Sequence, residues 1–185
     1  MSGKVKFVIA VGLALAVSSI SYGQNLNSTA ATVALNATLA ESLTVSVSAN
    51  TLSIPLTAGA KSAAAGPLTV TTAWVLKSTR NNVQVVSFLG SSTAALSDGT
   101  NNIPASAVLG QVNSGTYGAY TNGASNGIGL AAATLNIGTT ALTNTTRNSS
   151  RTDTLNLEVD LSTGSLPQLP ASTYTGTLNL QAVAY

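Results

Sequence analysis

The sequence predicts an all-β protein, a single antiparallel β-sandwich, and three observations carry that prediction. Apolar side chains recur every second residue, not every 3.6, over most of the chain. Thr, Val and Ala alternate in runs of five to ten residues that Gly, Asn and Pro punctuate, as half-buried strands between turns do. The nearest helix candidate, residues 61–65, is cut off at once by Gly66 and Pro67.

The strands follow in order. Residues 32–39 (TVALNATL) place Val33, Leu35, Ala37 and Leu39 on one face. After Glu41 the alternation resumes with Leu43, Val45 and Val47 inward. Leu52, Ile54 and Leu56 make a short strand that Pro55 marks as an edge or bend, and residues 57–66 read as a small-residue loop. Residues 68–77 (LTVTTAWVLK) form a strong strand carrying the one tryptophan, Trp74. Residues 78–82 (STRNN) turn the chain, and residues 83–89 return from it, which predicts a hairpin. Asp98-Gly99 is a further turn signal. Residues 107–112 read as a strand, 113–129 as a long glycine-rich loop with Tyr117 and Tyr120, 130–137 as a weaker strand and 138–151 as polar loop. In residues 152–161, Leu155, Leu157, Val159 and Leu161 face in. Residues 166–170 (LPQLP) break the chain before a last strand over residues 173–185.

Composition narrows the function classes. Lys4 and Lys6 precede a short apolar run, residues 7–17, which small residues follow. This reads as a secretory signal peptide over residues 1–23, cleaved before Gln24. The run is too short to span a bilayer, and no transmembrane segment is expected after cleavage. The formal charge of +2 then falls to zero, because Lys4 and Lys6 leave and five basic residues face five acids. That balance argues against nucleic-acid partners, which need clustered Lys and Arg. Residues 24–185 hold no His, Cys or Met. Disulfides are excluded, and so are the usual general bases and soft metal ligands. The protein is expected to be secreted, in the periplasm in transit and at the cell surface or outside the cell at the end.

Few residues suggest chemistry. Glu158 and Asp160 share a strand face, like a glycosidase pair, but their neighbours face the core, so a solvated outer face explains them. Residues 97–102 (SDGTNN) offer oxygen ligands of the kind calcium takes, yet with one carboxylate, and Asp-Gly is a common turn. Serines lack a histidine to activate them. Trp74, Tyr117 and Tyr120 could form a sugar-stacking platform; equally, the tryptophan is core and the tyrosines are surface. No catalytic residue, cofactor or metal site is assigned, and the protein is not read as an enzyme.

Two segments carry a resemblance. Residues 29–57 (TAATVALNATLAESLTVSVSANTLSIPLT) and the ending LPASTYTGTLNLQAVAY resemble the two ends of spore coat protein U domains and related chaperone–usher pilins. Together they cover roughly a quarter of the chain. Many members carry a cysteine near the position of Leu43, paired with one on the next long strand, and this chain has neither. The resemblance implies an immunoglobulin-like, pilin-like sandwich that lacks its last strand. It implies a groove filled first by a periplasmic chaperone and then, at an outer-membrane usher, by the N-terminal extension of another subunit. Carried onto this sequence, Val33, Leu35, Ala37 and Leu39 are donor side chains. Leu178, Leu180, Val183 and Tyr185, on the last strand, line the acceptor groove.

The expected organisation is a signal peptide (residues 1–23), an N-terminal extension (24–40) and a β-sandwich domain (41–185). The expected role is a structural subunit of a fimbria or surface coat. It assembles by β-strand complementation with itself, as a homopolymer, or with related subunits. The alternative is a monomeric secreted adhesin or carbohydrate-binding module that uses Tyr117 and Tyr120. Residues 32–39 remain open between a donor strand, the first strand of a self-sufficient sandwich and a disordered tail.

Overall fold

The computed structural model describes residues 29–120 and 133–185. The expected signal peptide, the loop residues 121–129 and the start of the expected strand at residue 130 lie outside the described residues. The chain divides into two units, Met1–Ala37 and Thr38–Tyr185. In the first, residues 29–37 carry no strand and are exposed.

The second unit is an antiparallel β-sandwich. Its strands are β1 (Ser42–Val47), β2 (Lys61–Ala63), β3 (Leu68–Val75), β4 (Asn82–Leu89), β5 (Leu96–Ser97), β6 (Asn102–Ile103), β7 (Val108–Val112), β8 (Gly118–Ala119), β9 (Thr134–Ala141), β10 (Asn148–Asp160) and β11 (Leu178–Ala184). The larger sheet runs β1-β3-β10-β7-β8, with β2 also on β10; the smaller runs β11-β4-β9; β5 and β6 form a separate ribbon. All these pairings are antiparallel.

Alternation of side chains, the signal read from the sequence, is what builds the core. Leu68, Val70, Thr72 and Trp74 of β3 are buried, and so are Leu155, Leu157 and Val159 of β10, while the residues between them are half-buried. They meet Val83, Val85 and Leu89 of β4 and Ile137 of β9 from the facing sheet. Ile103, Ala105 and Ala107 close the interior beside β7.

The expected hairpin at residues 78–82 is a different connection. Its turn is present, but β3 pairs with β1 and β10, while β4 pairs with β11 and β9. The chain arches from one sheet to the other. Turn residues specify a reversal; they do not specify whether the strands pair or face each other across the core. Two loops were also shorter than expected. Lys61–Ala63 forms β2, and residues 138–151 include the end of β9 and the start of β10. The expected strand at Leu52, Ile54 and Leu56 has no pairing, although Ile54 and Leu56 pack on the core.

One buried polar network interrupts the apolar interior. Arg151 donates from Nε to Asp153 Oδ2 at 2.7 Å and from Nη2 to Asp153 Oδ1 at 2.6 Å. Its Nη1 donates to Thr140 Oγ1 at 2.9 Å, and Asn113 Nδ2 donates to Asp153 Oδ1 at 2.7 Å. Gly138 lies directly under the guanidinium, where a Cβ would collide with it. Asp153 is 2% exposed, and these donors surround its carboxylate in the interior. Asp153→Ala would leave the guanidinium without its partner. Urea unfolding of that variant is expected to show a loss of about 3 kcal/mol, the lower end of the cost of breaking a buried pair.

Candidate functional site

The last strand has one partner and one open edge. β11 pairs with β4 from Leu178↔Leu89 to Ala184↔Val83, and it ends the order of its sheet. Just beyond it, Tyr185 and Asn82 exchange both main-chain hydrogen bonds, at 3.1 and 2.9 Å. In an antiparallel ladder such pairs alternate along the strand. Residues in phase with Tyr185 therefore bond to β4, and those in phase with Leu178 turn their N–H and C=O groups to the open edge. Arg80 Nη1 donates to the Ala184 carbonyl at 3.3 Å. From Leu178 to Ala182 no strand among the described residues pairs with that edge.

An apolar cleft of about 540 Å³ lies beside this edge. Leu178 and Leu180 line one wall. The opposite wall is Val47, at the end of β1, with Leu52 and Ile54 from the segment that follows. Leu68, Leu89 and Leu157 also line it, so the cleft reaches into the core between the sheets. Like β11, β1 is an edge strand of its sheet. The cleft thus lies beside two sheet edges that do not pair with each other.

The expected groove residues divide by parity. Leu178 and Leu180 line the cleft. Val183, opposite Gln84, is out of phase with them and points to the other face, and Tyr185 follows the strand at 38% exposure. Ala182 shares the inward phase instead and packs on the core. The alternation TLNLQAVA in the sequence carries that same parity. The contribution of Leu52, Ile54 and Tyr174 to the cleft was not legible either, because they come from segments without strand pairing.

The expected donor residues all lie outside the sandwich strands. Val33 is 77% exposed, Leu35 91% and Leu39 79%, and Ala37 is exposed too. Val33, Leu35 and Leu39 thus expose large apolar side chains on one face of an extended segment.

The remaining candidates are placed as follows. Trp74 is buried and donates Nε1–H to the Thr146 carbonyl at 2.8 Å. Tyr120 is 1% exposed, its hydroxyl 2.9 Å from Ser87 Oγ, and burial pushes its pKa upward. Tyr117 is exposed. Of the three rings, one remains at the surface, and they form no common platform. Glu158 and Asp160 both pair with Lys61 of β2, at 3.8 and 3.5 Å. The Asp98 carboxylate is engaged within its own turn. Oδ1 accepts from the N–H of Thr100 at 2.9 Å and of Asn101 at 2.6 Å, and Oδ2 accepts from Asn101 Nδ2 at 3.0 Å.

A scan against protein-family models, a search of curated proteins and a search of solved structures each returned no match.

The Asp98 turn titrates in a distinctive range. Hydrogen bonds from Asn101 and Thr100 favour the ionised carboxylate and lower its pKa from 3.8 to about 2. A lowered folded value means that the contribution to stability is complete above about pH 4. It is lost as the pH falls from about 4 towards 2. In an NMR titration the amide shifts of Thr100 and Asn101 are expected to move with a midpoint near 2, and Asp98→Asn should abolish that step.

Proposed function

We propose that this protein is a secreted structural subunit that assembles by β-strand addition, one copy lending residues 32–39 to the cleft of another. The observation that carries the reading is the pairing of two incomplete surfaces in one chain. A strand edge with free main-chain groups borders an apolar cleft, and an exposed segment offers apolar side chains at the spacing a strand would present to it.

The energetics favour joining the two. An open edge and an exposed apolar seam are a standing risk of indiscriminate association. A donor strand satisfies the main-chain groups of Leu178 to Ala182 and buries Val33, Leu35, Ala37 and Leu39. At about 25 cal/mol per Å², four such side chains contribute several kcal/mol before the entropy of ordering the segment is counted. Main-chain bonds supply affinity, and alternate side chains in the cleft supply specificity. A fimbria or surface coat is the assembly this fits. A periplasmic chaperone would cover the same cleft in transit, as the resemblance to coat and pilus subunits implies.

A Leu35→Asp variant tests this directly. Leu35 is exposed, so the substitution should leave sandwich stability within about 0.5 kcal/mol. It should abolish the polymer ladder that unboiled wild-type protein gives on a gel and that collapses to monomer on boiling. Normal ladders from that variant would sink the proposal. A wild-type protein that runs as a single monomer band in both lanes would do the same.

A further inference from the structure

The charges of the sandwich are sorted along its long axis. β1, β4 and β10 run from one end to the other, while β3 and β11 run back, as the registers Val75↔Ser42, Val75↔Asn148 and Ala184↔Val83 require. At the end where β1 begins lie Lys77, Arg80 and Arg147, with the single carboxylate of Glu41. At the other end, where the cleft opens, lie Asp98, Glu158 and Asp160, with the single ammonium of Lys61. Arg151 and Asp153 cancel each other between them. These ten residues are all the charged side chains of residues 24–185. A neutral chain is therefore a dipole, with side-chain charge +2 at one end and −2 at the other. A terminal carboxylate on Tyr185 would lower the basic end by one.

The ends act independently of each other. The eight residues of β3 extend about 25 Å, beyond the screening length of about 10 Å at 0.1 M salt. Within one copy the poles barely interact, whereas two apposed ends do.

We infer that the two ends dock on one another, the basic end of one copy against the acidic end of the next, and that this fixes the direction of the donor strand. The inference rests on the strand-addition reading above. The donor residues end at Leu39, two residues before Glu41, and Glu41 is tied to Lys77 and Arg80 at the basic end through ion pairs of 3.3 and 3.5 Å. The one linking residue, Ala40, gives two Cα–Cα steps of about 7 Å in all, so the donor's basic end must sit close to wherever its strand leaves the acceptor. A donor antiparallel to β11 leaves at the cleft mouth, facing Asp98, Glu158 and Asp160. A donor parallel to β11 leaves beside the acceptor's Lys77, Arg80 and Arg147, where like charges meet. Charge thus selects the antiparallel arrangement. A head-to-tail contact of this kind is heterologous, so copies add in one direction and extend into a filament wherever the rotation between them does not close a ring.

A charge-swap experiment on the full mature chain tests this. Variant one is Lys77→Glu with Arg80→Glu; variant two is Glu158→Lys with Asp160→Lys. Alone, each presents like charges at every junction and is expected to assemble at least tenfold more slowly than wild type at 50 mM salt. Mixed, they present opposite charges at both kinds of junction and should co-assemble at a rate near wild type. Wild-type assembly should slow several-fold between 50 and 500 mM salt, which keeps the test decisive if one variant misfolds. The chain has no native cysteine, so engineered pairs read the direction. Ala40→Cys in one copy should cross-link to Thr177→Cys in the next, and not to Tyr185→Cys. Assembly indifferent to salt and to both reversals, or cross-linking at Tyr185, would overturn the inference while leaving strand addition intact. No assembly by the wild type would instead remove the reading beneath it.

Discussion

A β-sheet must end somewhere, and in this sandwich β1 and β11 end their sheets without pairing to each other. Both strands are edges of their sheets, one from each, and they flank the same cleft. Elsewhere the sheets manage their margins with short or irregular strands. β8 and the β5–β6 ribbon are two residues long, and β9 carries a register shift against β4 between Val85 and Val86. Such devices discourage edge pairing. β11 has none of them. It is regular over seven residues, it holds no proline or lysine, and its inward side chains are Leu178, Leu180, Ala182 and Ala184.

The absence of cysteine sharpens that constraint. A disulfide stabilises chiefly by restricting the unfolded chain, and this protein has no such restriction. Its interior must hold itself together, and it does so with two apolar clusters. Leu68, Val70, Leu155 and Val159 anchor the larger one, while Trp74, Leu76 and Val83 form the smaller one at the basic end. The Arg151–Asp153 pair belongs to the same inward-facing row of β10 as Leu155 and Leu157. Its fixed geometry ties β10 to β9 through Thr140 and to the residue after β7 through Asn113. A directional contact of that kind specifies how two sheets align, which apolar packing does only loosely.

The parts of the fold that were legible in the sequence are those set by local periodicity. β10 alternates so strictly that its buried residues Leu155, Leu157 and Val159 could be named one by one, and β3 shows the same strict alternation. The arch between β3 and β4 was not legible, because STRNN encodes a reversal and the choice of sheet is made by partners seventy or a hundred residues away. Tyr120 was misjudged as surface for a related reason. It sits in a glycine-rich stretch that looks like loop, yet β8 pairs there with β7 and carries the ring over Gly110 into the core. At the cleft, Leu178 and Leu180 were legible and Leu52, Ile54 and Tyr174 were not. A wall built by unpaired segments has no period to read.

The exposed apolar residues at 33, 35 and 39 argue most strongly when set beside the charge pattern. A segment meant only to link would be polar, and a strand meant for its own sheet would be paired; residues 29–40 are neither, and they carry no charge at all. An uncharged apolar strand has little to tell one open edge from another, or one direction of entry from the other, since a donor can bury alternate side chains running either way. On the strand-addition proposal, discrimination then comes from the ends of the sandwich: Asp98, Glu158 and Asp160 outnumber Lys61 at the end where the cleft opens, while Lys77 and Arg80 pair with Glu41, the residue that follows this segment. On that proposal the two tasks are separate: burial supplies the strength of the contact, and the sorted charges supply its orientation.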